Sequence, residues 1–191
     1  MKQSWMRNFS LLIFVCFLCS CENETNKAEV SFENKKDFET TMILSHKDFL
    51  KKEKEKIRVF KDSLGLQFIS TGTGLQYYIY KSSEGDGLKT GELAVLSYDL
   101  TSITGDSLYK SPEGKLQEFV VDYDNVESGL HEGIKKLKVG ERAYLILPAH
   151  LAHGISGDNA AISSQTTLVY NVHLVAKRWG ISFFFCFQWV C

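Results

Sequence analysis

The sequence predicts an α+β fold: a curved antiparallel sheet wrapped around one short helix, preceded by a charged helix. Three observations carry this. Residues 93–100 and 168–174 alternate with a period of two, so that Ala94, Leu96, Tyr98 and Leu100 share one face, as do Leu168, Tyr170, Val172 and Leu174. Residues 126–137 form the only compact stretch of helical period within the domain, with Leu130, Ile134 and Leu137 at i, i+4 and i+7. Further short apolar segments, residues 116–121 and 141–147, supply two more strand candidates. Several strands with one helix make an α+β architecture.

In chain order, Lys2 and Arg7 precede an apolar run, residues 9–19, and the first acidic residue is Glu22. That order is the pattern of a secretory signal, residues 1–20. The run is shorter than the ~20 residues of a membrane span. Leu18-Cys19-Ser20-Cys21 resembles a bacterial lipobox, which makes Cys21 the lipidated N-terminus of the mature chain and its anchor to a membrane. An uncleaved N-terminal anchor is the other reading, and both place the bulk of the protein outside the cytoplasm.

Residues 22–34 are polar and read as a tether. Over residues 36–63, Phe38, Met42, Phe49, Ile57 and Phe60 recur at loosely helical spacing among Lys and Glu, with Leu64 and Gly65 at the end. This charged helix, within a segment 21–71, reads as a spacer or, alternatively, as the seam of a homodimer. The sparse apolar stripe favours the spacer. Residues 70–74 read as a turn and 75–80 as a half-buried strand. Gly72-Thr73-Gly74 lacks the glycine spacing and Lys-Ser/Thr of a phosphate loop. A domain at 72–178 follows, its last strand expected to end near Val175. Residues 179–191 add an aromatic tail that suits either a membrane interface or an aberrant end.

Composition removes several function classes. The net charge is −1, 24% of residues are charged, and no basic cluster adjoins the apolar segments, so the sequence has no nucleic-acid footprint. All five cysteines lie in residues 16–21 or 186–191, and the histidines have no zinc-motif spacing, which argues against an internal disulfide, thiol chemistry or a metal site in the folded region. At 191 residues the chain suits one domain plus extra segments.

A family resemblance sharpens the reading. Gly85-Asp86-Gly87, Gly91, Tyr98, Gly129-Leu130-His131-Glu132-Gly133, Gly140-Glu141, Pro148, Leu151-Ala152-His153-Gly154 and residues 167–174 stand in the order and spacing of the FKBP-type peptidyl-prolyl isomerases, which the chain resembles over about half its length. The whole layout is similar to the gliding motility-associated FKBP-type lipoproteins of the Bacteroidetes. The resemblance implies an Xaa-Pro isomerase that needs no metal, nucleophile or cofactor, acting on proline-containing exported polypeptides.

Carried over residue by residue, it assigns Tyr98, Phe119 and Val126 to the pocket walls, Ile162 and Tyr170 to its far side, Leu130 to its floor and Leu108 to a position usually held by Phe. The backbone N–H of Glu127 falls where a substrate carbonyl is met. His153 replaces a Tyr whose hydroxyl bonds substrate, Tyr109 replaces an Asp, and Gln117 replaces an aromatic. These three departures support a second reading, a non-catalytic binding module acting as chaperone or scaffold. His131, His150 and His173 read as structural or solvated.

Overall fold

The computed structural model describes residues 35–179. The expected signal, the lipobox with Cys21, the tether and residues 180–191 lie outside the described residues. The chain divides into two compact units, Met1–Ile43 and Leu44–Cys191.

Helix α1 spans Lys35–Leu64. Its surface carries helix-spaced ion pairs, Lys52 with Asp48 at 2.7 Å and Arg58 with both Glu55 at 2.6 Å and Asp62 at 2.7 Å. Gly65 ends it as expected: at φ 63° it takes the left-handed turn that a side chain disfavours, and its N–H reaches the carbonyls of Lys61 and Asp62. In the first unit, Met42 and Ile43 are exposed. In the second unit the helix does more than space. Ile57 is buried against Ile146 and Val169, with Phe60, Phe68 and Ile103 packed around them. Ile57 and Phe60 belong to the apolar stripe read from the sequence, which did not show what surface they would meet.

The sheet holds seven strands: β1 (Ile69–Ser70), β2 (Gln76–Lys81), β3 (Glu92–Ser102), β4 (Ser107–Lys110), β5 (Gln117–Val120), β6 (Arg142–Leu147) and β7 (Leu168–Trp179). Their order is β1-β2-β6-β7-β3-β4, with β5 also paired to β3, and every pairing is antiparallel. Register shifts at Ile79/Lys81, Val95/Leu96 and Leu100/Thr101 are the bulges that bend such a sheet. The faces expected from period two hold: Ala94, Leu96, Leu100, Leu168, Tyr170, Val172 and Leu174 all enter the main core.

Helix α2 (Ser128–Ile134) fills the concave side. It is shorter than the expected 126–137. Leu137 is buried as its spacing required, but single turns carry the chain there, through Lys136 N–H to Gly133 O and Leu137 N–H to Ile134 O. Gly140, read from the sequence as the stop of this helix, instead lies at φ 92° in the Lys138–Glu141 turn that leads into β6. Two glycines let α2 lie close to β6, since a Cβ on Gly129 or Gly133 would stand 2.6 Å from the side chain of Leu147 or Leu145 respectively. β7 also runs past Val175, because Trp179 pairs with Glu92 and Lys177 bonds Gly87 O at 3.0 Å and Glu92 at 3.3 Å. No helix among the described residues is long and apolar enough to cross a membrane.

Candidate functional site

A cavity of about 210 Å³ opens between β3, β5, β7, the start of α2 and the 153–162 loop. Leu96, Tyr98 and Leu100 from β3, Gln117, Glu118 and Phe119 from β5, and Tyr170 from β7 line one side. Val126, Glu127, Leu130, His153, Asp158, Ile162 and Tyr109 complete it. The fold thus gathers eight of the nine domain residues expected at the site. Leu108 is the exception: it packs against the main core and does not line the cavity.

The strand period explains why Tyr98 and Tyr170 meet. Each points to the concave face, and their rings stand 5.5 Å apart at 58°. Below them Phe119, Leu130 and Ile162 are each about 95% or more enclosed, at 5%, 4% and 3% exposure. Burial, then the charge of Glu127, pushes the Tyr170 hydroxyl well above its usual range, and the same two causes with Tyr109 raise Tyr98. Both stay neutral donors at any ordinary pH.

The polar part of the cavity was not foreseen. The Glu127 side chain, for which the sequence suggested no role, sits at the centre: its Oε1 accepts the Tyr170 hydroxyl at 2.8 Å and meets His153 Nε2 at 3.0 Å. The imidazole donor that the sequence offered to a substrate is therefore already bonded to a carboxylate. No local pattern announces this, since the three residues come from three separate places in the chain: the start of α2, the 153–162 loop and β7. The Glu127 backbone N–H, by contrast, makes no hydrogen bond among the described residues, while the Glu127 carbonyl accepts from Leu130 and His131.

A second carboxylate, Asp158, organises the loop. Its Oδ1 accepts the N–H groups of Ala160 and Ile162, each at 2.8 Å, and its Oδ2 accepts the Tyr109 hydroxyl. The Tyr109 bond, with those N–H groups and nearby His153, holds the Asp158 carboxyl below its usual range, and the same bond raises Tyr109. Tyr109 thus closes the loop that carries Ile162. The turn sequence Gly157-Asp158-Asn159 is the signal that could have found it, because Asp readily bonds the backbone two residues on.

His131 is structural: Nδ1 accepts the Asp122 N–H and Nε2 donates to Asp124 O, both at 3.0 Å. His150 bonds Thr73 O at 2.9 Å. Among the described residues no three of His, Cys, Asp or Glu gather into a metal-ligand set.

Residues 85–175 match the sequence model of the FKBP-type peptidyl-prolyl cis-trans isomerases. The chain carries an FKBP-type domain. Human peptidyl-prolyl cis-trans isomerase FKBP10 is 33% identical over 102 residues, which are 53% of this chain and 17% of that protein. FkpA of Escherichia coli K12, an FKBP-type isomerase, is 32% identical over 107 residues, 56% of this chain and 38% of that one. The probable FkpA of Neisseria meningitidis serogroup B is 28% identical over 154 residues, 80% of this chain and 56% of that one. The chain therefore spans less than two thirds of the length of these relatives. The crystal structure of Escherichia coli FkpA superposes with a TM-score of 0.62 at 22% identity, covering 92% of this chain and 83% of that one. That of AtFKBP13 gives 0.55 at 21% identity, covering 59% of this chain and 99% of that one. At these identities the superpositions establish the FKBP fold.

Proposed function

We propose that the FKBP domain catalyses cis-trans isomerisation of Xaa-Pro bonds in exported polypeptides. The observation that carries this is the pairing of Tyr98 and Tyr170 over the apolar floor of Phe119, Leu130 and Ile162, with the unbonded Glu127 N–H at the same cavity. A planar amide resists rotation by about 18–20 kcal/mol because twisting destroys its resonance. Water stabilises the planar, charge-separated form. A cavity of about 210 Å³ with apolar walls takes a prolyl ring and strips water from the amide, which lowers the barrier without proton transfer. The Glu127 N–H supplies a fixed donor for a substrate carbonyl. No metal or cofactor is needed for this chemistry.

The anchoring belongs to the same proposal. Residues 1–20 direct export, and Cys21 receives lipid, holding the domain at 72–178 on a membrane. Support comes from the charge order around residues 9–19 and from the Leu18–Cys21 tetrapeptide. Incorporation of labelled palmitate in the wild type but not in Cys21→Ala is expected. Equal incorporation would dismiss the anchor.

The activity is tested by exchange NMR on an Xaa-Pro peptide. Accelerated exchange, reduced more than about tenfold in folded Tyr98→Ala and Tyr170→Ala variants, is the expected result, since each removes a wall of the cavity. A specific observation favours a second reading, a binding module without turnover: Glu127 occupies both His153 and Tyr170. No acceleration by the folded wild type would select it.

A further inference from the structure

The cavity has apolar walls but not an apolar charge balance. The Glu127 side chain is only 11% exposed. Its Oε1 holds two hydrogen bonds, while its Oε2 has no hydrogen-bond partner among the described residues. The Tyr170 hydroxyl and the His153 ring fix the carboxylate, so its free oxygen is oriented before any ligand arrives.

The remaining lining groups deepen the asymmetry. Glu118 and Asp158 are the other carboxylates, and neither Lys nor Arg lines the cavity. Glu118 is exposed and meets Arg178 at 3.2 Å, and Asp158 is satisfied by Tyr109 and two backbone N–H groups. Glu127 alone keeps an open acceptor inside. A carboxylate oxygen removed from water is costly to leave unpaired, and a charged donor meets it far more strongly than a neutral one. An apolar neighbour of the bound proline would cover Oε2 without pairing it. An acidic neighbour would be repelled, whereas a Lys ammonium or Arg guanidinium would complete it.

We propose that Glu127 is a specificity-determining residue that selects Xaa-Pro segments with a lysine or arginine next to the proline. The inference rests on the reading of this cavity as the Xaa-Pro site.

The test is exchange NMR on two peptide series, with Lys, Leu or Glu placed immediately before the proline or immediately after it, using wild type and Glu127→Gln. Chemical-shift titration of the labelled protein with the same peptides runs alongside. The expected result is kcat/KM for a Lys peptide at least about tenfold above its Glu counterpart in one series, a difference of the size of one partly buried ion pair. The ratio should fall to about twofold or less in Glu127→Gln, and about 0.5 M salt should also lower it in the wild type. Equal acceleration of all three peptides in both series overturns the selectivity and leaves the isomerase intact. If the folded protein accelerates none, the isomerase reading fails, and the titration decides: tighter Lys-peptide binding lost in Glu127→Gln supports the selectivity, while equal or absent binding overturns it.

Discussion

The Glu53 carboxylate on α1 accepts the Thr167 hydroxyl at 2.7 Å, and the same Oε1 accepts the Ala149 N–H at 2.7 Å. One buried side chain, 6% exposed, thus ties the second half of the helix both to the turn after β6 and to the start of β7. Truncating it strands a buried N–H and a buried hydroxyl together. Glu53→Ala is expected to cost about 3 kcal/mol, and Glu53→Gln, which keeps an acceptor, about 1 kcal/mol. Urea unfolding measures both. A midpoint unchanged in Glu53→Ala would mean that the helix does not hold this seat in solution.

The close approach of α2 to β6 gives a second expectation. A methyl on Gly133 would sit 2.6 Å from Leu145 Cδ1, in a fully buried layer. Gly133→Ala gains helix propensity but overpacks the core, and overpacking prevails at about 1–3 kcal/mol. Thermal unfolding should show a lowered midpoint for Gly133→Ala and a recovered one in the double variant with Leu145→Val.

Alkaline pH should unfold the domain through its cavity tyrosines. The folded-state value of Tyr170 is raised, above all by burial. Its contribution is therefore fully present below the ordinary tyrosine value of about 10 and is lost as pH rises toward the raised one. Absorbance at alkaline pH should show Tyr170 ionising only with unfolding, and Tyr98 ionising above the ordinary tyrosine range. A Tyr170→Phe variant that still loses stability equally steeply above about pH 10 would assign the effect elsewhere.

Acid acts on the opposite sign at the loop. The Asp158 value is lowered, first by the Tyr109 hydrogen bond, so its contribution exists above the ordinary Asp value and fades as pH falls through the lowered one. Hydrogen exchange at Ala160 and Ile162 should quicken in that acid window and, at neutral pH, in Asp158→Ala and Tyr109→Phe. Unchanged exchange in both variants would show that the two side chains do not hold the loop.

Much of this protein was legible in order along the chain. Period-two alternation placed Tyr98 on one face with Leu96 and Leu100, and Tyr170 with Leu168 and Val172, because strand geometry turns every second side chain the same way. The spacing of Leu130, Ile134 and Leu137 likewise foretold three buried positions, although the helix itself stopped at Ile134. β4 escaped because Ser107–Lys110 alternates no apolar side chains and forms only by pairing with β3. What tertiary structure alone decided are contacts between residues far apart: Glu53 with Thr167, 114 positions on, and Glu127 with Tyr170, 43 positions on. Local periodicity encodes which face a residue takes. Whether a carboxylate on that face is solvated or becomes the buried acceptor of two distant donors depends on how the chain closes, and that has no local signature.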